Sequence, residues 1–150
     1  MNLVLFGDTD EANLIARSAI KNGDHEKMEI VKKTDAIMHE NSTHCTVYEY
    51  PMKNSEMNIG VAEIRGRYPE QGYAINHLCS EMGYILKGSG KLVAESGETT
   101  LSEGDVIYVP AGEQFFWSGT MTVVLSATPA WSPEQHETNL YPSFNNSIQS

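Results

Sequence analysis

Cysteine is scarce in this 150-residue chain, which holds only Cys45 and Cys79. Two are too few for a disulfide framework, and their spacing matches no zinc-binding pattern. Basic residues are scarce as well. Ten Lys and Arg stand against twenty Asp and Glu, a formal charge of -10. That balance removes the clustered cations on which nucleic-acid affinity rests. No uninterrupted apolar run approaches the roughly 18 residues of a membrane span. The first ten residues lack a basic leader region, because acids follow directly on Leu3-Val4-Leu5-Phe6. These absences predict a cytoplasmic protein with no nucleic-acid and no membrane partner. What is present is ordinary globular composition, 40% hydrophobic and 20% charged. The length fits one domain, and a single barrel of that size buries roughly 70% of its unfolded surface without a disulfide or metal.

Three stretches differ in character. In residues 1–25, Asp8 and Glu11 mark a helix start, and Ala12, Ile15, Ala16, Ala19 and Ile20 repeat on one helical face up to Gly23. The spacing predicts a short N-terminal helix. A nucleotide-binding turn is excluded there, since no glycine follows Gly7 until Gly23. Residues 26–131 read instead as short strands with turn residues between them. The candidates are Met28 to Lys33, His44 to Tyr50, Asn58 to Arg65, Tyr73 to Cys79, Met82 to Lys87 and Lys91 to Glu95, then Thr99 to Leu101, Val106 to Val109, Glu113 to Trp117 and Met121 to Ala127. Gly88-Ser89-Gly90, Ser96-Gly97, Gly104-Asp105 and Gly119 serve as turns in this reading. Many strands without interleaved helices predict an all-β antiparallel barrel or sandwich. Residues 132–150 read as a polar tail.

Two motifs sharpen this. The stretch from Gly72 places His77, Glu81 and Gly88 with three and six residues between them, and Gly104, Pro110 and Gly112 keep a second fixed spacing. Over roughly residues 45–131 the chain resembles the cupin superfamily, and the resemblance implies a small antiparallel β-barrel of jelly-roll type. It is similar to uncharacterised single-domain cupins and, more loosely, to the C-terminal cupin part of ethanolamine-utilisation proteins. Metal-binding cupins hold a divalent ion with two His and a Glu from the first motif and a His from the second. Here Ile75 and Phe115 stand at two of those His positions, and Gly119 stands at the Asn position of the second motif. The family's ligand set is therefore incomplete: a divalent metal is not favoured, and any such ion would rest on His77 and Glu81.

Strand alternation places His77, Cys79 and Glu81 on one side of their strand, and Phe115 with Trp117 on one side of theirs. These five residues are the expected pocket, with apolar walls around a few orienting polar groups. Cys79 reads as an inert buried thiol, and His77 with Glu81 as a buried imidazole–carboxylate pair. His25, His39 and His44 show no ligand spacing and read as surface or turn residues, and Trp131 is expected to pack on the barrel exterior or at a subunit interface. The function expected is binding of a small metabolite, a sugar or a small acid, inside a homodimeric barrel. A cupin enzyme, either a metal-dependent oxygenase or an isomerase or lyase using His77 and Glu81, is the first alternative. A structural partner assembling through the N-terminal segment is the second.

Overall fold

The computed structural model describes residues 27–141, so the expected helix in residues 8–23, His25 and the end of the tail lie outside the described residues. The chain divides after Ile30, and every element below belongs to the unit Val31–Ser150. Nine strands follow in order: β1 Ile37–Ser42, β2 Cys45–Tyr50, β3 Asn58–Tyr68, β4 Tyr73–Asn76, β5 Ser80–Ala94, β6 Gly97–Ser102, β7 Val106–Val109, β8 Gln114–Thr128 and β9 His136–Leu140. Single 3-10 turns occupy Lys33–Asp35 and Pro133–Gln135.

All the strands belong to one antiparallel sheet curled into a barrel, and β8 is its hub. Along one edge β8 pairs with β3, from Ala127↔Asn58 to Trp117↔Tyr68, and then with β4 through Phe115↔Ala74. Along the other it pairs with β5 from Thr128↔Ser80 to Phe115↔Ala94. The outer neighbours are β2 and β1 beyond β3, β9 beyond β4, and β6 and β7 beyond β5. Period-two alternation fills the interior: Glu81, Gly83 and Ile85 of β5 and Phe115, Trp117, Met121 and Val123 of β8 are buried. Ile64, Ile85, Leu101 and Val123 are fully enclosed, and each such side chain contributes about 1.5–3 kcal/mol on burial.

Several expectations need correction. Met28 to Lys33 forms no strand, although its apolar residues suggested one. The first strand is instead the polar Ile37–Ser42, held by pairing with β2 rather than by burial, for which its own sequence carries no pattern. Gly88-Ser89-Gly90 and Gly119 are not turns. They lie inside the unbroken β5 and β8 and face each other in register, Gly90 against Gly119. Their backbones approach so closely that a Cβ on Gly119 would stand 2.5 Å from the Gly90 Cα, and Gly119 itself adopts φ +133°. The glycines let two long strands bend together where the sheet curls. The tight hairpin turn is Glu95-Ser96, one residue earlier than expected, with Ala94 paired to Gly97. Beyond Trp131, in the stretch read as tail, residues 136–140 form β9 and pair with β4.

Candidate active site

The cavity inside the barrel measures about 80 Å³ and is walled by Tyr68, Phe115, Trp117, Trp131, Leu125 and Ile64. A single water needs only about 10–15 Å³ by such a measure, so the space has room for several waters or for part of a small ligand. Its polar lining comes from Asn41, Glu49, Asn58, Asn76, Glu81 and His136, with the Cys45 thiol beside them. Among the lining residues there is no Lys and no Arg.

Asn76 organises the inner end. It closes β4, is buried, and receives two hydrogen bonds on one oxygen: Trp131 Nε1–H donates to Asn76 Oδ1 over 3.2 Å, and His136 Nδ1–H over 2.7 Å. The direction follows from chemistry. An indole nitrogen only donates, so the atom it meets is the amide oxygen, and the imidazole nitrogen sharing that oxygen must also carry a proton. The amide NH₂ of Asn76 is then left to donate to the Glu81 carboxylate. His136 is correspondingly a lone-pair acceptor at Nε2, where the Tyr68 hydroxyl donates over 3.3 Å. Asn41 in turn hydrogen-bonds Tyr68. A directed chain thus runs from Asn41 through Tyr68, His136 and Asn76 to Glu81. Tyr68 and His136 also lie with their rings stacked 5° from parallel.

Burial sets the protonation states. Glu81 is 8% exposed, and desolvation pushes its carboxyl up to about 7 against the hydrogen bond from Asn76. His136 is held below the ordinary imidazole range by desolvation, so it stays neutral at neutral pH. Desolvation also raises the Tyr68 hydroxyl to about 12, with smaller contributions from Cys45 and Glu81. A carboxyl poised near neutrality beside a neutral imidazole of fixed tautomer is an acid–base pair.

Trp131 is anchored by Asn58, whose Oδ1 accepts from the Trp131 backbone N–H over 3.0 Å. Gln135, buried just before β9, accepts from the backbone N–H groups of Leu78 and Cys79 at 2.9 and 2.8 Å and secures the link between β4 and β5.

Of the five residues expected in the pocket, Glu81, Phe115 and Trp117 line the cavity, the last two edge to face at 6.3 Å. His77 does not. β4 ends at Asn76, and the irregular link to β5 breaks the alternation that would have carried His77 inward. Asn76 takes the interior, while the His77 side chain is 49% exposed and pairs with Glu137 on β9 at 2.9 Å. The buried His77–Glu81 pair is therefore corrected to an Asn76–Glu81 contact. Cys79 is buried as expected but does not line the cavity. The thiol that does is Cys45, raised to about 11 by desolvation. Tyr68 at the end of β3, with Trp131 and His136 from the segment after β8, forms the inner wall. Trp131, expected on the barrel exterior or at a subunit interface, is thereby corrected to a cavity residue, drawn inward by its indole bond to Asn76.

The metal arrangement that the family resemblance implies does not fit these residues. Ile75 and Phe115 occupy ligand positions, His77 faces away, and Glu81 alone keeps its place. Among the described residues no three His, Cys, Asp or Glu side chains gather where they could share one ion.

Residues 67–125 match the model of the Cupin domain family. No curated protein sequence matches the chain. Among solved structures, a Tyr-to-Phe variant of Streptomyces PAC13 with uridine superposes with a TM-score of 0.68 at 16% identity, covering 83% of this chain and 100% of that one. Pac13 is described as a nucleoside dehydratase. The ectoine synthase from P. lautus gives a TM-score of 0.57 at 13% identity, covering 82% and 98%. The polyketide cyclase RemF from Streptomyces resistomycificus gives 0.57 at 15%, covering 78% and 89%. At these identities the likeness is one of fold.

Proposed function

Starting from a barrel that is a cupin domain, we propose that this chain binds a small, uncharged, hydroxyl-bearing molecule in the barrel and moves protons on it without a metal. The observation that carries this is the directed hydrogen-bond chain at the inner wall, which leaves a lone pair on His136 Nε2 facing the Tyr68 hydroxyl and ends at a protonatable Glu81. The aromatic walls suit the faces of a sugar or heterocycle, and the asparagines suit its hydroxyls. A small acid is disfavoured, because the cavity holds the carboxyls of Glu49 and Glu81 and no lining cation to receive an anion.

The chemistry such a pair supports is elimination of water. A substrate hydroxyl or C–H displaces the long Tyr68 contact, and His136 Nε2 takes the proton from carbon. The carbon–oxygen bond breaks as a double bond forms, and the proton of Glu81 joins the departing hydroxyl as water. The structural likeness to a nucleoside dehydratase supports this class of reaction.

The test is binding and turnover with uridine and simple neutral sugars, each beside its phosphorylated form. Neutral compounds raise the melting temperature and phosphorylated ones do not. A substrate of this class loses one water by mass spectrometry, and His136→Gln abolishes the loss while binding persists. Equal binding of the phosphorylated compounds would refute the charge argument. Turnover that survives in both His136→Gln and Glu81→Gln would refute the proton-transfer roles.

A further inference from the structure

Among the described residues, three glycines keep a φ outside the left-handed region: Gly60, Gly83 and Gly90. For two of them close packing explains the missing side chain. A Cβ on Gly90 would run into the Ser118 carbonyl, and one on Gly83 would press to 3.1 Å on the Val123 side chain. Gly60 is different. A Cβ there would lie 3.5 Å from the Tyr48 carbonyl oxygen and 3.6 Å from Val47 Cγ1, which is ordinary van der Waals contact. Neither backbone angle nor crowding requires glycine at this position, and glycine weakens a strand interior. A strand glycine with no close neighbour marks a place where a ligand approaches the backbone. In the register of β3, Gly60 stands between Glu49 of β2 and Leu125 of β8, and all three line the cavity. Alternation puts position 60 on the same side as the buried Ala62 and Ile64, so a side chain here would enter the cavity.

The same wall is where the cavity opens. Its inner lining at Asn76, Glu81, Phe115 and Trp117 is buried, whereas the Glu49 side chain is 27% exposed. The nearest nitrogen of His39, on β1, is 4.0 Å from the Glu49 carboxylate, beyond hydrogen-bond reach. A carboxylate only accepts hydrogen bonds, so Glu49 suits a ligand that brings donors. Aromatic rings gather at the inner part and this acceptor stands at the outer, so the two ends favour different chemistry. A cavity of about 80 Å³ also holds only part of a ligand, and the rest lies along the opening.

We infer that Gly60 determines which ligand the cavity accepts: its bare backbone seats the outer part of a neutral two-ring compound, whose hydroxyl or ring N–H donates to Glu49 while the inner part meets Glu81 and His136. The assignment rests on the proton-transfer reading of the inner wall and narrows its substrate class from single rings to two joined ones.

The test is calorimetric binding of uridine, D-ribose and uracil, with thermal unfolding in parallel, for the wild type, Gly60→Ala, Gly60→Val and Glu49→Gln. Uridine joins two rings, and the other two compounds are its separate parts. The wild type is expected to bind uridine more tightly than either part. Gly60→Val fills the gap and weakens uridine about tenfold or more, while the part that reaches the inner wall binds as before. Gly60→Ala lies between the two. Both glycine variants melt at or above the wild-type temperature, since a side chain in a compatible backbone lowers the entropy of the unfolded chain and finds room in the cavity. A firmer fold with weaker uridine binding is a combination that a merely structural glycine does not give. Glu49→Gln weakens uridine and leaves the inner part's affinity unchanged. Glycine variants that melt well below the wild type overturn the inference, because the fold then needs Gly60. So does uridine affinity that Gly60→Val leaves unchanged or loses together with both parts, and so does a wild type that takes a single part and refuses uridine. In each of these cases the proton-transfer reading stands. A wild type that binds none of the three compounds removes that reading and this inference with it.

Discussion

Glu81 concentrates the energetics of the site in one group. Its carboxyl titrates near 7 in the folded chain against an ordinary 4.5, because burial penalises the anion. Between those values the native state holds a proton that the unfolded chain has released, so stability falls as pH rises through this window. Above it the full cost is about 3 kcal/mol. Glu81→Gln keeps the shape and the hydrogen bond from Asn76 but removes the ionisation. The variant should melt several degrees above wild type at pH 8 and close to it at pH 5. Thermal unfolding at the two pH values checks this, and an equal difference at both would show that Glu81 is not held protonated. The cysteines give a second residue-scale expectation. Cys45 and Cys79 are both buried with raised thiol values, so neither reacts with a thiol reagent at pH 8 until the chain is denatured. At this scale the sequence was informative about Glu81, Phe115 and Trp117, whose spacing lies on regular strands. It misassigned His77, because a single irregular link reversed the side-chain direction, and alternation cannot be counted across such a link.

The elements that escaped a local reading are those whose pairing comes from far along the chain. β5 and β8 read as four strands because glycines ordinarily punctuate, and only the facing Gly90 and Gly119 reveal a shared bend. The stretch after β8 read as tail because its residues are polar, yet Gln135 and His136 are polar for a purpose inside the fold. Gln135→Ala should cost about 2–3 kcal/mol, since it orphans the N–H groups of Leu78 and Cys79 that now share one acceptor. Urea unfolding measures the loss, and a change under 1 kcal/mol would mean water replaces the amide. Trp131→Phe probes the neighbouring device. Without the indole donor the Asn76 amide is free to turn over, which presents NH₂ to His136 and moves its proton from Nδ1 to Nε2. Nitrogen chemical shifts of the imidazole report the tautomer directly. An unchanged Nδ1–H signal in the variant would show that Glu81, not Trp131, fixes the amide.

For the whole molecule, the barrel was legible because turn residues at short intervals and two spaced motifs agree on one antiparallel sheet. The donor set makes a direct expectation. Dialysis against a strong chelator should leave the melting temperature and uridine response unchanged, and a large drop reversed by one divalent ion would show a site that these side chains do not supply.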